Sequence, residues 1–110
     1  MLKKGQSVKV KPNTLDYESE RYDISGWQGR VMDIDKNEDG TFIEVQWDSI
    51  TLLAIPFEYI EESVEEDLEY ENYILGEEDL IVCEPRDTEA DVHRAQAQIN
   101  NDYFEMDEEE

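Results

Sequence analysis

Carboxylates outnumber cations by more than three to one in this chain, 31 Asp and Glu against 9 Lys and Arg, giving a formal charge of −22 over 110 residues. Repulsion on that scale opposes any compact state unless apolar patterning overcomes it, and it limits partners as firmly as folds. Nucleic acid is excluded as a direct partner, because phosphate binding needs the opposite sign. An anionic membrane surface is excluded for the same reason. Binding of cations, binding of a basic protein, or plain solubility remain.

Disorder is the first reading to test against such a charge. The 2 Trp, 6 Tyr and 3 Phe fall in patterned segments, which argues for a folded single domain with one small core. The lone Cys83 rules out an intramolecular disulfide and a Cys-only metal site. Residues 1–10 lack the apolar stretch of a signal peptide, and no segment is long enough to span a bilayer. The expectation is a reduced, cytoplasmic protein.

Residues 7–11 alternate, with Val8 and Val10 inward, and predict a short strand. This opening also holds Lys3, Lys4, Lys9 and Lys11, four of the nine cations. A polar loop over residues 12–25 follows, closed by Gly26-Trp27-Gln28-Gly29, whose glycines permit unusual backbone angles. Residues 30–35 and 41–47 form the strongest strand pair, with Ile43, Val45 and Trp47 on one face and an Asp39-Gly40 hairpin signal between them. The apolar run 50–55 continues the strand series, Pro56 ends it, and 57–60 reads as a turn. These short strands suggest an SH3-like small barrel over residues 5–60.

Residues 57–84 then carry 12 acidic side chains and no Lys or Arg. Within an acidic extension over 61–86 only residues 80–83 look like a strand. Thr88-Glu89-Ala90-Asp91 fits a capping box, so a helix is expected across 87–103, with Val92, Ala95, Ile99 and Tyr103 as its apolar stripe. An acidic tail covers 104–110. The predicted class is mainly β with a C-terminal helix, α+β.

The segment that suggests chemistry is Asp35-Lys36-Asn37-Glu38-Asp39-Gly40. Asp, Asn and Asp at alternate positions before a glycine match the first half of a calcium loop, in which a hard ion collects several oxygens. The Thr41 carbonyl fills the next position. The flanks are strands and the twelfth position is Gln46, so this is no EF-hand; Asp33, Glu38 and Glu44 are the nearby carboxylates able to complete the shell. Alone, Asn-Glu-Asp-Gly is an ordinary polar turn. In a field of −22, a pocket of carboxylates attracts a divalent cation, and calcium becomes the preferred reading. Glu61, Glu62, Glu65 and Glu66 form a second concentration: a weaker calcium site, a surface for a basic partner, or a solvated charge run. Asp16, Glu18, Glu20 and Asp23 carry no sharper signal.

Enzymatic readings find little. His93 lies on the helix away from its apolar stripe, Cys83 sits in an apolar run, and no phosphate loop, nucleophile triad or protease motif is present. Trp27 and Trp47 read as core.

Residues 23–31, containing Gly26-Trp27-Gln28-Gly29, the acidic hairpin, residues 45–52, containing Trp47-Asp48-Ser49-Ile50, and Arg86-Asp87-Thr88 together resemble a known family, the small acidic calcium-binding proteins of cyanobacteria. The resemblance runs from about residue 4 to residue 103. It implies a calcium (Ca2+) buffer or regulator of the kind linked to heterocyst differentiation, with a stronger site placed on Asp33, Asp35, Asn37 and Asp39 and a weaker one unassigned. The expected function is therefore calcium buffering or sensing without catalysis. The alternative is an acidic module that binds a basic protein by imitating nucleic-acid charge.

Overall fold

Val8 and Val10 are buried with Lys9 exposed between them, and Ile43, Val45 and Trp47 are buried at alternate positions. Those two patterns locate the sheet in the computed structural model, which describes residues 2–15 and 22–107, with side chains as far as Asp102. The side chain of Tyr103, the acids Asp16, Glu18 and Glu20, and the end of the tail lie outside the described residues. Five strands, β1 (Ser7–Val10), β2 (Gln28–Asn37), β3 (Gly40–Trp47), β4 (Asn72–Gly76) and β5 (Leu80–Val82), form one antiparallel sheet in the order β4-β3-β2-β1-β5. Residues 5–60 supply only three of these strands. The sheet needs β4 and β5 from the acidic extension and stays open, with those two strands at its edges, so the expected barrel does not close on residues 5–60.

Among the described residues, three α-helices, α1 (Ser49–Ala54), α2 (Phe57–Glu65) and α3 (Glu89–Asp107), and a single 3₁₀ turn (Glu77–Asp79) complete the α+β fold. The run 50–55, expected as a strand, is helical as far as Ala54 because Asp48 caps it, its carboxylate accepting from Thr51 N–H at 2.8 Å, and Ile55 leaves the helix in extended conformation. The expected turn at 57–60 is the start of α2, which follows Pro56 directly. It ends where Asp67 enters the left-handed region (φ 60°) and Leu68 N–H reaches back to the Ser63 carbonyl at 2.8 Å. At α3 both bonds of the capping box form: Asp91 N–H to Thr88 Oγ1 at 3.2 Å, and Thr88 N–H to the Asp91 carboxylate at 3.0 Å. Val92, Ala95 and Ile99 are buried at helical spacing and join the sheet's core, with α3 packed against α1.

A bulge sets the faces of β2. Val31 pairs with Val45 and Asp33 with Glu44, so Met32 is the extra residue. Strict alternation from buried Val31 would send Asp33 and Asp35 into the core. With the bulge, Val31 and Ile34 face inward and both aspartates face out. Trp47 is wholly buried, stacked on Tyr73 and met edge-on by Trp27, which is itself only partly buried. Gly29 serves a different purpose from the unusual angles expected of it. A Cβ there would lie 2.1 Å from the Gln46 carbonyl oxygen of β3. Gly29→Ala must push β2 away from β3 and should cost at least about 2 kcal/mol of unfolding free energy, measured by urea denaturation; an unchanged midpoint would show that the approach is not tight.

Candidate functional site

The structure separates the acidic hairpin residues into two groups. Asp33, Asp35 and Glu44 line one groove of about 240 Å³ on the outer face of the hairpin, with Phe42, Ile34 and Ile74. Asp33 and Glu44 are direct register partners, and Asp35 stands opposite Phe42. Asp33 is exposed and meets Lys4 Nζ at 3.5 Å. Glu44 is half-buried, with the Asn72 side-chain amide 3.4 Å from its carboxylate. The same amide donates to Glu69 at 2.9 Å, so Asn72 stands between two carboxylates.

Asn37, Glu38, Asp39 and Thr41 do not join this groove. Asn37 pairs with Gly40 across a two-residue turn of Glu38 and Asp39. The Asn37 Oδ1, expected as a calcium ligand, accepts the Asp39 N–H at 2.8 Å and holds the turn closed. Thr41 pairs with Lys36, one position out of phase with the outward-facing aspartates. The second acidic group sits on α2 and its C-cap, away from the hairpin: Glu61, Glu65 and Glu66 are exposed, and Glu62 accepts from the Tyr22 hydroxyl at 3.4 Å. Among the described residues no three His, Cys, Asp or Glu side chains converge closely enough to enclose a metal ion. The hairpin carboxylates therefore present oxygen atoms on an open groove and not in a preformed cage.

A groove of about 380 Å³ adjoins the first, sharing Glu44 and Ile74 and adding Asp67, Leu68, Glu69, Asn72 and Tyr73. Nearby Glu71 holds its proton more tightly than an ordinary glutamate, first because it is partly buried and further because of the Glu69 charge. His93 is exposed on α3, as its spacing required, and Cys83 is half-buried with its sulfur 3.6 Å from Ser7 Oγ.

Sequence reasoning missed a polar cluster at the other end of the sheet. The Asp48 carboxylate receives Arg86 Nε at 2.7 Å and Nη2 at 3.2 Å, and Arg86 Nη2 also reaches Thr51 Oγ1 at 3.0 Å. Gln28 N–H donates to the same Thr51 oxygen, and Gln28 Nε2 donates to Ser7 Oγ and the Glu84 carbonyl. Beside it, Arg30 grips both the carboxylate and the backbone carbonyl of Asp87, whose second oxygen accepts Ser49 N–H at 2.7 Å. The available signal was scarcity: with 9 Lys and Arg against 31 Asp and Glu, each Arg is a candidate for one specific carboxylate.

Comparison with protein-family models, with curated proteins and with solved structures finds no match for this chain.

Two outcomes test the cluster. Arg86→Ala leaves Asp48, almost wholly buried, without its cation and should lower stability by about 2 kcal/mol, with Arg86→Lys restoring only part because one ammonium cannot replace the fork. For Asp87, burial pulls the pKa upward, but hydrogen bonds from Ser49 and Arg30 outweigh it and hold the carboxyl below its ordinary 3.8. The unfolded carboxyl binds its proton more readily, so this stabilisation is fully present above about pH 4 and drains as the pH falls through the lower folded value. Urea unfolding across an acid series should show a flatter acid limb for Asp87→Asn than for the unaltered chain.

Proposed function

We propose that this chain binds calcium through carboxylates on the outer face of the β2–β3 hairpin and acts as a buffer or sensor. The observation that carries the reading is the pairing of Asp33 directly against Glu44, with Asp35 on the same face of the same groove. Like charges opposed in a ladder destabilise it. A divalent ion held by those side chains removes the penalty, and the whole chain's negative field raises its local concentration. Asp33, Asp35 and Glu44 would supply the protein oxygens. Calcium suits an irregular, water-sharing set of hard donors, whereas magnesium demands stricter octahedral geometry and sheds water reluctantly.

The site thus moves from the tip of the hairpin to its side. Asn37 and Asp39 are the turn's own fastening, and their contribution is to hold the register that opposes Asp33 and Glu44. The carboxylates of α2 and its C-cap, with Glu61 and Glu65, and Glu62 and Glu66, four positions apart, provide the weaker binding. Resemblance to the cyanobacterial calcium-binding family supports the same function, and a cytoplasmic place of action belongs to the proposal. An SH3-like reading of the sheet belongs to this proposal as well. It is supported by a strand order in which the first strand lies between the second and the last.

Isothermal titration of the intact chain should show calcium binding below millimolar concentration, weakened about tenfold by Glu44→Gln or Asp35→Asn, since affinity follows ligand charge. Glu61→Gln with Glu65→Gln should leave the tighter site unchanged. Because the ion binds the folded chain, calcium at about a hundred times its Kd should add about 2.7 kcal/mol of stability. Absence of calcium heat in the unaltered chain overturns the function; an unaltered tight site in both hairpin variants overturns the placement.

A further inference from the structure

We infer that the paired grooves on the outer face of β3 and β4 dock a short basic segment of a partner protein carrying aliphatic side chains between its lysines or arginines. The floor is apolar and open: Ile74 is 50% exposed and Leu68 43%, with half-buried Phe42 beside them. A calcium ion has no use for such a floor, and a freely solvated acidic face does not need one. The two cavities, about 240 and 380 Å³, meet at Ile74 and Glu44, room for two neighbouring aliphatic side chains.

Charge complementarity selects the occupant. Asp33, Asp35 and Glu44 rim one cavity and Glu44, Asp67 and Glu69 the other. Among the described residues Asp35, Glu44, Asp67 and Glu69 form no ion pair, and Lys4 against exposed Asp33 is the one cation on the rim. An aliphatic side chain on the floor places the flanking cations of an incoming segment at these carboxylates, so apolar burial and ion pairing act together. A nucleic acid or an anionic membrane meets the wrong sign. A second copy of this chain brings another −22 charges with it. The sheet geometry adds access, since β4 is an edge strand and its outer face borders solvent at Ile74.

The inference shares carboxylates with the calcium reading but does not rest on it, so docking is measured in chelator. The intact chain is titrated into two labelled synthetic peptides of equal length and charge, one alternating Lys with Leu and one alternating Lys with Ser, with fluorescence anisotropy as the readout. The Lys-Leu peptide should bind about tenfold more tightly than Lys-Ser, the difference expected from covering one or two aliphatic side chains. Ile74→Ser and Leu68→Ser, each checked for an unchanged circular dichroism spectrum, should remove that preference while leaving Lys-Ser binding as it was. Equal affinity for the two peptides, or a preference that survives both substitutions, overturns the inference. So does a concentration-dependent dimer in sedimentation that Ile74→Ser dissolves, which assigns the face to a second copy. Calcium binding without peptide preference, or the reverse, separates the fate of this proposal from that of the calcium site.

Discussion

One inserted residue, Met32, decides what both faces of this sheet are made of. Val31 and Ile34 contribute to the core and Asp33 and Asp35 face outward only because the bulge restarts the alternation between them. A regular strand would offer the core two carboxylates, each of which is far too costly to bury unpaired. The bulge therefore does two things at once. It completes an apolar interior against Ile43 and Val45, and it sets Asp33 against Glu44, leaving electrostatic strain on the surface where an ion or a basic side chain can relieve it. The close approach of Gly29 to Gln46 lies in the same pair of strands, next to the bulge, so the hairpin is fixed by backbone contact at one end and by the Asn37 turn at the other.

The opposite end of the sheet treats charge differently. Arg30 and Arg86 are placed against Asp87 and Asp48, whose side chains are 4% and 3% exposed, inside a network that also ties Gln28, Ser49 and Thr51. A pair of this kind contributes modestly to stability when intact and costs more when broken. It joins the cap of α1, the start of β2 and the approach to α3. With α1 packed against α3, those bonds position the helical layer on the sheet. Concentrating two of nine cations there leaves the groove at the far end short of positive charge.

The strands were legible wherever alternation was strict. Val8, Val10, Ile43, Val45 and Trp47 declare their face, and the capping box at Thr88 declares the start of α3. The run 50–55 misled because six mostly apolar residues fit a short strand or a short helix equally well; Asp48 as a cap was the clue that decides it. Residues 72–76 were hidden by a strand whose exposed face, at Ile74, is apolar, which erases the alternation. The candidate site was legible in its residue types and only partly in its position. Asp33, Asp35 and Glu44 stand in the sequence as candidates, but the bulge that gathers them leaves no mark in composition. The spacing that resembled a calcium loop, Asp35, Asn37 and Asp39, turned out to include a side chain already used by the backbone.

The placement of β1 bears on the order in which the chain can assemble. One of its neighbours, β2, is the next strand in the sequence and the other, β5, is the last, and the contact of Ser7 with Cys83 spans 76 positions. The β2–β3 hairpin can form from local pairings as synthesis proceeds, but β1 keeps one side unpaired until β5 leaves the ribosome. During that interval the exposed edge carries Lys9 at its centre, with Lys3, Lys4 and Lys11 close by in sequence. Charged edges resist pairing with other chains. The cations in and around β1 thus lie on the strand edge whose partner is furthest away in sequence, where charge discourages mispairing.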